Sequence, residues 1–411
     1  RFRNVTGVQT CALPILTGAL FDDPWGSVGR TNPYPVATLG TNQYPFASNL
    51  YALFITVPYD IKTTRNHSWN VALQQQFGTN MAVSATYMGN HLVNVWGTVD
   101  NNPALINGTV ASATGPCTAN LPGQAPQTFA NCTTSLDQRR EFSLFNPTLG
   151  LPYGYLDTVT DRGWQDYQGL LLSVQRRSAD GLTTSANYTI SRCEGLVNQG
   201  GGPLNVATGY MKPISVLNPP SDAEVKAILE NDKGRCNAWR RHILNMTASV
   251  ETPQFTSTAA RILASGWRLS GVFRAQSGDT LTVTTGSDRA LSGMQASVQR
   301  ANQVSDDVYG DKTINSWLKA SAFAQPALGT YGNSVRNAYD GPGFRTLDLS
   351  LVRNFNLGGA RRIEARVEAF NALNWFIYAN PSTVLSSATF GRITNTAVDP
   401  RVMQFALKYQ F

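Results

Sequence analysis

Few residues in this chain could do chemistry, and the cysteines come first among them. Of the five cysteines, Cys117, Cys132, Cys193 and Cys236 lie in polar, loop-like sequence. An even number of cysteines in such segments favours two disulfide bonds, for which three connectivities exist. The sequential pairing, 117–132 and 193–236, is the simplest, because each pair then brackets one polar loop. Disulfides in turn indicate an oxidising compartment.

Metal binding and catalysis are the other uses of these residue types. The sequence contains no Cys-x-x-Cys spacing, and His67, His91 and His242 show no ligand spacing. Neither a Gly-x-Ser-x-Gly elbow nor a His-Glu-x-x-His pair occurs. A serine, a histidine and an aspartate brought together by the fold would leave no such signature, and that alternative stays open. We expect a protein that is not an enzyme and that has no metal or cofactor site.

The composition bears on which classes of protein are compatible with the sequence. Charged residues make up 14% of the chain, hydrophobic residues 42%, and the net charge is +7. The lysines and arginines are scattered and no recognition-helix pattern accompanies them, so we expect no nucleic-acid partner. The longest apolar run, Tyr51 to Tyr59, contains Pro58 and is too short for a membrane helix. A membrane β-barrel needs no such run, because its signal is spread over alternating segments of about ten residues.

The last ten residues give the clearest structural signal. Phe405, Leu407, Tyr409 and Phe411 fall on one face of an extended strand, and the other face is mostly polar. An aromatic-ended strand at the C-terminus resembles the closing strand of a bacterial outer-membrane β-barrel. That resemblance implies that these four residues belong to an assembly signal read by the barrel-assembly machinery. The alternative is an ordinary amphipathic edge strand.

The same alternation recurs along the chain and predicts nine strands. They cover 66–77, 79–90, 166–177, 181–191, 239–251, 266–277, 345–357, 361–371 and 402–411. Short turns join them at one end, apart from a longer one at 252–265. Long segments connect them at the other end: 91–165, 192–238, 278–344 and 372–401. Short turns on one side and long loops on the other are typical of outer-membrane barrels.

We therefore predict an all-β fold, a transmembrane antiparallel β-barrel surrounded by outer-membrane lipid of a Gram-negative cell. If its C-terminus lies in the periplasm, all four long segments and both disulfides lie outside the cell. Two loops carry helical patterns: a capping box at Ser221 to Glu224 opens a helix through about Glu230, and Thr313 to Phe323 reads as a helical turn. The stretch Asp279 to Thr285 is either a further strand or a continuation of the preceding one.

The N-terminal segment needs separate treatment. Val5 to Ile15 resembles the translation of a sequencing adapter, so residues 1–15, including Cys11, are set aside as an artefact. Residues 16–65 are rich in Pro, Asn and Gly and are interpreted as the remnant of an extracellular loop. Residues 66–411 then form the C-terminal part of the barrel. Because single-chain bacterial barrels close with even strand numbers, the odd count predicts a truncated fragment.

Several stretches resemble the C-terminal barrel of TonB-dependent outer-membrane receptors, most of all the Oar-like group, which carries an N-terminal carboxypeptidase-regulatory-like domain. The matching stretches are His67 to Gln74, Gln76 to Gly78, Gly234 to His242, Gly266 to Phe273, Gln276 to Gly278, Ser316 to Leu318, Ala322 to Ala324, Gly329 to Asn333, Gly341 to Phe344, Glu368 to Asn374 and Phe390 to Ile393. The resemblance implies a plugged barrel of about 22 strands, energised from the inner membrane through TonB. The sequence contains neither plug nor TonB-binding segment, so TonB would act only through the missing N-terminal part.

The sequence is compatible with two functions. The first is a fragment of an energy-coupled transporter or receptor for a scarce, unidentified solute, with a lumen lined by the polar strand faces. The residues concerned are Asn245, Thr247, Ser249, Arg268, Arg274, Glu364, Arg366 and Glu368. The second is a surface protein that binds partners or adheres through its long loops without active transport. Aromatic residues near predicted strand ends either form interfacial girdles or pack in a core: Trp69, Trp164, Trp239, Trp267 and Tyr409.

Overall fold

The computed structural model describes residues 52–179, 181–196, 212–295, 299–358 and 361–411. Every described residue belongs to one compact unit, Leu50–Phe411. The segment 1–15 and most of the segment 16–65 lie outside the described residues, so their interpretation stays a prediction.

Nine long strands form one antiparallel sheet, in which each strand hydrogen-bonds to the next one along the chain. They are β1 (Arg65–Phe77), β2 (Met81–Asp100), β3 (Tyr153–Ala179), β4 (Leu182–Leu196), β5 (His242–Glu251), β6 (Trp267–Gln276), β7 (Phe344–Gly358), β8 (Arg361–Phe370) and β9 (Val402–Gln410). Two short strands join this sheet: Ala52–Thr56 runs parallel to the start of β3, and Gly234–Arg235 pairs with the end of β4. The predicted all-β class with nine strands is confirmed.

The alternation of apolar and polar residues gives the sheet two different faces. One cross-strand row of the apolar face contains Leu73, Ala85, Leu172, Tyr188 and Leu244. The adjacent row of the opposite face contains Ser84, Ser173, Asn187, Asn245 and Arg274. Because successive side chains of a strand point to opposite sides, the strand registers keep each set on one face through all nine strands.

The apolar face is exposed rather than packed against another layer. Leu73, Phe405 and Leu407 each expose roughly three quarters of their surface, and many apolar neighbours are also exposed. Apolar surface on this scale is unfavourable in water. A continuous outward apolar band is what the hydrocarbon layer covers in a transmembrane barrel.

The strand registers also fix the inclination of the strands. One hydrogen-bonded row leads from Phe77, the last residue of β1, to Met403, near the beginning of β9. The row therefore begins at the turn end of β1 and finishes at the loop end of β9. This stagger of about one residue per strand corresponds to strands tilted by roughly 35°. Transmembrane barrels have strands of this inclination.

The long segments contain small elements of their own. Their helices are α1 (Glu141–Phe145), α2 (Pro147–Gly150) and α3 (Asp222–Glu230), with 3-10 turns at Asp137–Arg139 and Ala320–Ala322. Their short strands are Cys117–Ala119, Gln127–Phe129, Thr280–Leu281, Asn302–Gln303, Tyr309–Thr313, Ser316–Leu318, Phe323–Ala324 and Tyr339–Asp340. The longer turn between β5 and β6 contains α4 (Thr258–Leu263). Within the described ranges, no helix is both long enough and apolar enough to span a membrane.

Some sequence-based expectations are corrected. The predicted loop 91–165 is shorter, because β2 continues to Asp100 and β3 begins at Tyr153. The stretch Asp279 to Thr285 contributes only the strand Thr280–Leu281, which pairs within the loops rather than with the large sheet. The helix predicted near Glu224 is present as α3, and its Ser221 cap and Glu224 form the expected capping box.

The helical turn predicted over Thr313 to Phe323 is wrong for most of its length. Tyr309–Thr313 and Ser316–Leu318 form an antiparallel hairpin, and only Ala320–Ala322 is a 3-10 turn. The side chain of Trp317 donates a hydrogen bond to the backbone oxygen of Asp340 (2.9 Å). Cross-strand pairing of this kind overrides local helical preference, because strand formation depends on the neighbours across the hairpin.

Candidate functional site: the polar face and the loop cap

The polar face of the sheet contains all the residues that the sequence placed toward a lumen. Pairing in register brings Asn245 beside Arg274, and Ser249 beside Ser270, whose hydroxyl groups are 2.9 Å apart. Glu364, Arg366 and Glu368 occupy the same face of β8. Together with Ser350 of β7, which lies opposite Ser270, hydroxyl, amide and charged groups therefore follow one another across four neighbouring strands, a surface suited to polar solutes or water.

Several charges on this face are paired with one another. The guanidinium of Arg366 lies 2.6 Å from a carboxylate oxygen of Glu364 and 3.6 Å from one of Glu368. Arg268 lies 3.7 Å from Glu251. The Arg268–Glu251 pair joins β6 to β5, whereas Arg366 pairs with its neighbours on β8 itself. The side chains of all these pairs are partly exposed and therefore accessible to a polar ligand.

At one end of the sheet the strands enter a packed assembly of loops. We call the described parts of the four long segments the loop cap: 101–152, 212–241, 277–295 with 299–343, and 371–401. Along β2 the residues change from exposed at Met81 to buried from Gly97 to Asp100. The register of β2 against β3 shifts around Val95, next to Asn94, whose φ is 55°. These bulges turn the strands away from the regular sheet, as bulges generally do.

A first buried cluster of charges lies where β2 enters the loop cap. Arg140 is fully buried, and its guanidinium lies 3.3 Å from Asp100 and 2.9 Å from Asp137. It also donates to the backbone oxygen of Asn102 (2.7 Å). The neighbouring Arg139 donates to backbone oxygens of distant loop residues, among them Leu291 (2.9 Å). Burial lowers the pKa of Arg139 to about 10, so this guanidinium stays charged at neutral pH.

A second buried cluster joins three segments that are far apart in sequence. Arg300 lies 2.6 Å from Asp232 and donates to the backbone oxygen of Ser334 (2.7 Å). Arg336 donates to the backbone oxygens of Asp232 and Gly195, both at 2.9 Å. The cluster thus connects the end of β4, the residues after α3 and the 299–343 segment. Buried guanidinium groups with all these partners fix the relative positions of the loops.

Both disulfides also lie in or at the edge of the loop cap. Cys117 is bonded to Cys132, and Cys193, near the end of β4, is bonded to Cys236. This is the sequential pairing that the sequence favoured. The second disulfide packs with Trp239, which donates its indole N–H to the hydroxyl of Ser191 (3.0 Å). The Cys193–Cys236 bond links β4 to the loop cap, and the Cys117–Cys132 bond links two residues within the cap.

Removing either disulfide is expected to loosen the loop cap without unfolding the sheet. In the loop-closure description, replacing Cys193 and Cys236 by Ala costs about 4 kcal/mol, and replacing Cys117 and Cys132 costs about 3 kcal/mol, because the first pair closes the longer loop. Hydrogen exchange of cap peptides and of strand peptides measures both effects. Equal exchange in the cap of wild type and variants would show that other contacts alone hold the cap.

The aromatic residues expected in girdles divide into two groups. Trp69 and Tyr409 are exposed on the apolar face, and Trp267 lies on that face at the turn end. Trp164, by contrast, packs against the buried cluster of Val99, Leu196, Val225 and Leu229, and Trp239 is buried beside the disulfide. The girdle interpretation is wrong for these two, because β3 and the segment before β5 extend into the loop cap.

Sequence reasoning missed the buried arginines Arg139, Arg140, Arg300 and Arg336. A single sequence does not distinguish a buried arginine from an exposed one, since both add the same charge.

Comparison with known proteins gives one family match. A family model described as an outer membrane beta barrel domain matches residues 4–404. The matched range includes most of the segment 1–15, whose adapter origin stays a prediction. No curated protein matches the chain.

Two solved structures are similar to the chain. One is the outer membrane transporter YddB from Escherichia coli, with 11% identity, a TM-score of 0.41 and coverage of 87% of this chain and 34% of that one. The other is the FrpB iron transporter from Neisseria meningitidis (F3-3 variant), with 11% identity, a TM-score of 0.36 and coverage of 86% and 32%. The chain spans about a third of the length of these two proteins.

Proposed function

Because the chain belongs to the outer membrane beta-barrel domain family and is therefore an outer-membrane protein, we propose that it forms the C-terminal part of the barrel of a TonB-dependent receptor. The Oar-like group is the branch that its sequence resembles. In this role the protein takes up a scarce solute with energy supplied through TonB. The plug and the TonB-binding segment would come from sequence other than these 411 residues.

One observation carries the proposal: a polar sheet face with paired charges lies on strands that lead directly into a packed loop cap. A transporter of this kind needs a polar lumen and a structured entrance on the side from which solute arrives. The order and spacing of the resembling stretches, from His67 to Ile393, add to this. We propose no catalytic role for the chain.

The orientation follows from the lengths of the connections. With the C-terminus in the periplasm, the short turns lie on that side and the loop cap faces outward. Both disulfides then lie on the outer side of the membrane, an oxidising environment in which they persist. The exposed aromatic face of β9, with Phe411 at its end, is in this proposal the signal read by the assembly machinery.

The alternative is a surface protein that binds partners through the loop cap without transport. Its specific support is the rigidity of the cap, which is held by two disulfides and two buried charge clusters. A rigid, outward-facing assembly of loops is also what a binding surface requires.

The genomic locus upstream of residue 16 separates the two functions. A signal peptide, a plug domain, a TonB-binding segment and about a dozen further strands in one reading frame are the expected result for a transporter. A short upstream region that encodes only a few strands would contradict transport and would favour the surface protein.

A further inference from the structure

A cavity of about 660 Å³ lies where the apolar face of the sheet meets the loop cap. Its apolar side consists of Tyr87, Leu170 and Ile190, which are direct neighbours in one cross-strand row. On β4, Ile190 is the last exposed apolar residue of the outward face, and Arg192 is the next residue on that face. The cavity therefore lies at the boundary of the apolar band, on the cap side.

Three arginines line the other side of this cavity: Arg192, Arg235 and Arg241. Arg192 lies 2.9 Å from Glu194, and Arg235 lies 2.6 Å from Asp340. Among the described residues, the guanidinium of Arg241 has no ion-pair partner and is placed over the ring of Trp239. Three guanidinium groups thus face two carboxylates, which leaves an excess of positive charge.

The hydrogen-bond donors of the cavity are also incompletely used. The Nη2 atom of Arg235 is buried and has no hydrogen-bond partner in the described part of the chain. A buried donor without an acceptor is costly, so a shift of the Arg235 side chain that brings this atom to an oxygen of a ligand in the cavity would be stabilising. The guanidinium fork matches the oxygens of phosphate in particular.

We propose that this cavity binds the phosphorylated headgroup of a membrane lipid in the leaflet on the cap side. The phosphate contacts Arg192, Arg235 and Arg241, and the acyl chains lie along Tyr87, Leu170 and Ile190. The combination of apolar wall and arginines at the edge of the band favours a lipid over a free anion. A soluble phosphate compound would gain nothing from the apolar wall, whereas a lipid without phosphate would leave the arginines unpaired.

The test uses the purified protein in phosphate-free non-ionic detergent and titrates it with short-chain phosphatidic acid, short-chain phosphatidylcholine and inorganic phosphate. Native mass spectrometry counts bound molecules, and tryptophan fluorescence follows binding beside Trp239. We expect one saturable site for phosphatidic acid and much weaker binding of the other two probes. Saturation by inorganic phosphate at equal affinity would identify a free-phosphate site and would overturn the lipid assignment.

Variants show whether the arginines form the site. The double variant Arg192→Gln, Arg241→Gln changes two exposed side chains and leaves the Arg235 ion pair intact. We expect it to bind phosphatidic acid at least about tenfold more weakly. Arg176→Gln, on the same face near the turn end, is the matched control and should bind like wild type. Unchanged binding in the double variant, with both disulfides formed, would refute the proposal.

Discussion

Replacing Leu172 by Arg is expected to destabilise the protein in a bilayer by about 2–4 kcal/mol. Leu172 lies at the middle of the apolar face of β3, beside Ala85 and Tyr188, and exposes 41% of its surface. In water such a position would tolerate arginine. In the hydrocarbon layer the guanidinium must lose its hydration or distort the bilayer, which is the source of the cost.

The adjacent residue supplies the matched control. Ser173 points to the polar face, between Ser84 and Asn187, so Ser173→Arg is expected to change stability by much less. Denaturant unfolding of both variants, refolded into vesicles, compares the two faces within one strand. A similar loss for both variants, or a larger loss for Ser173→Arg, would contradict the assignment of the apolar face to lipid.

The strands could be predicted from sequence because each is defined by a local rule. Period-2 alternation holds for residues that face either hydrocarbon or the polar side, and it located all nine strands. It failed at the cap ends of β2 and β3, where bulges near Val95 break the alternation and the residues beyond are buried. The predicted strands therefore stop short of the observed cap ends of β2 and β3, where the surroundings change from lipid to packed protein.

The loop cap could not be predicted because its contacts are remote in sequence. Arg139 bonds to a backbone oxygen 152 residues away, and Arg336 bonds to one 141 residues away. Neither contact leaves a periodic signal. The capping box at Ser221 was predictable, since both of its partners lie within one helical turn. The disulfide pairing was partly predictable. The small number of cysteines limited the possible partners, and the simplest pairing is the one in the structure.

Replacing Arg300 by Met is expected to destabilise the loop cap by roughly 3–5 kcal/mol. The substitution leaves the carboxylate of Asp232 buried without its guanidinium partner, and it removes the hydrogen bond to Ser334. The loss should be confined to the cap, because the strands below are held by their own ladders. Hydrogen exchange should accelerate in peptides around 231–237 and 299–340 and remain near wild type in β7 to β9.

The double variant Arg300→Met, Asp232→Leu distinguishes loss of the ion pair from loss of packing. If the buried carboxylate that has lost Arg300 causes most of the effect, removing it as well should restore part of the protection, since an apolar pair of similar volume can replace a buried ion pair. Arg261→Met, on the exposed surface of α4, is the control for loss of an arginine and should stay within about 0.5 kcal/mol of wild type. No recovery in the double variant would mean that the backbone hydrogen bonds of Arg300, rather than its charge pairing, hold the segments together. Both proposed functions need a loop cap of fixed shape at the entrance. Loosening of the cap should therefore impair ligand access before it affects the strands of the barrel wall.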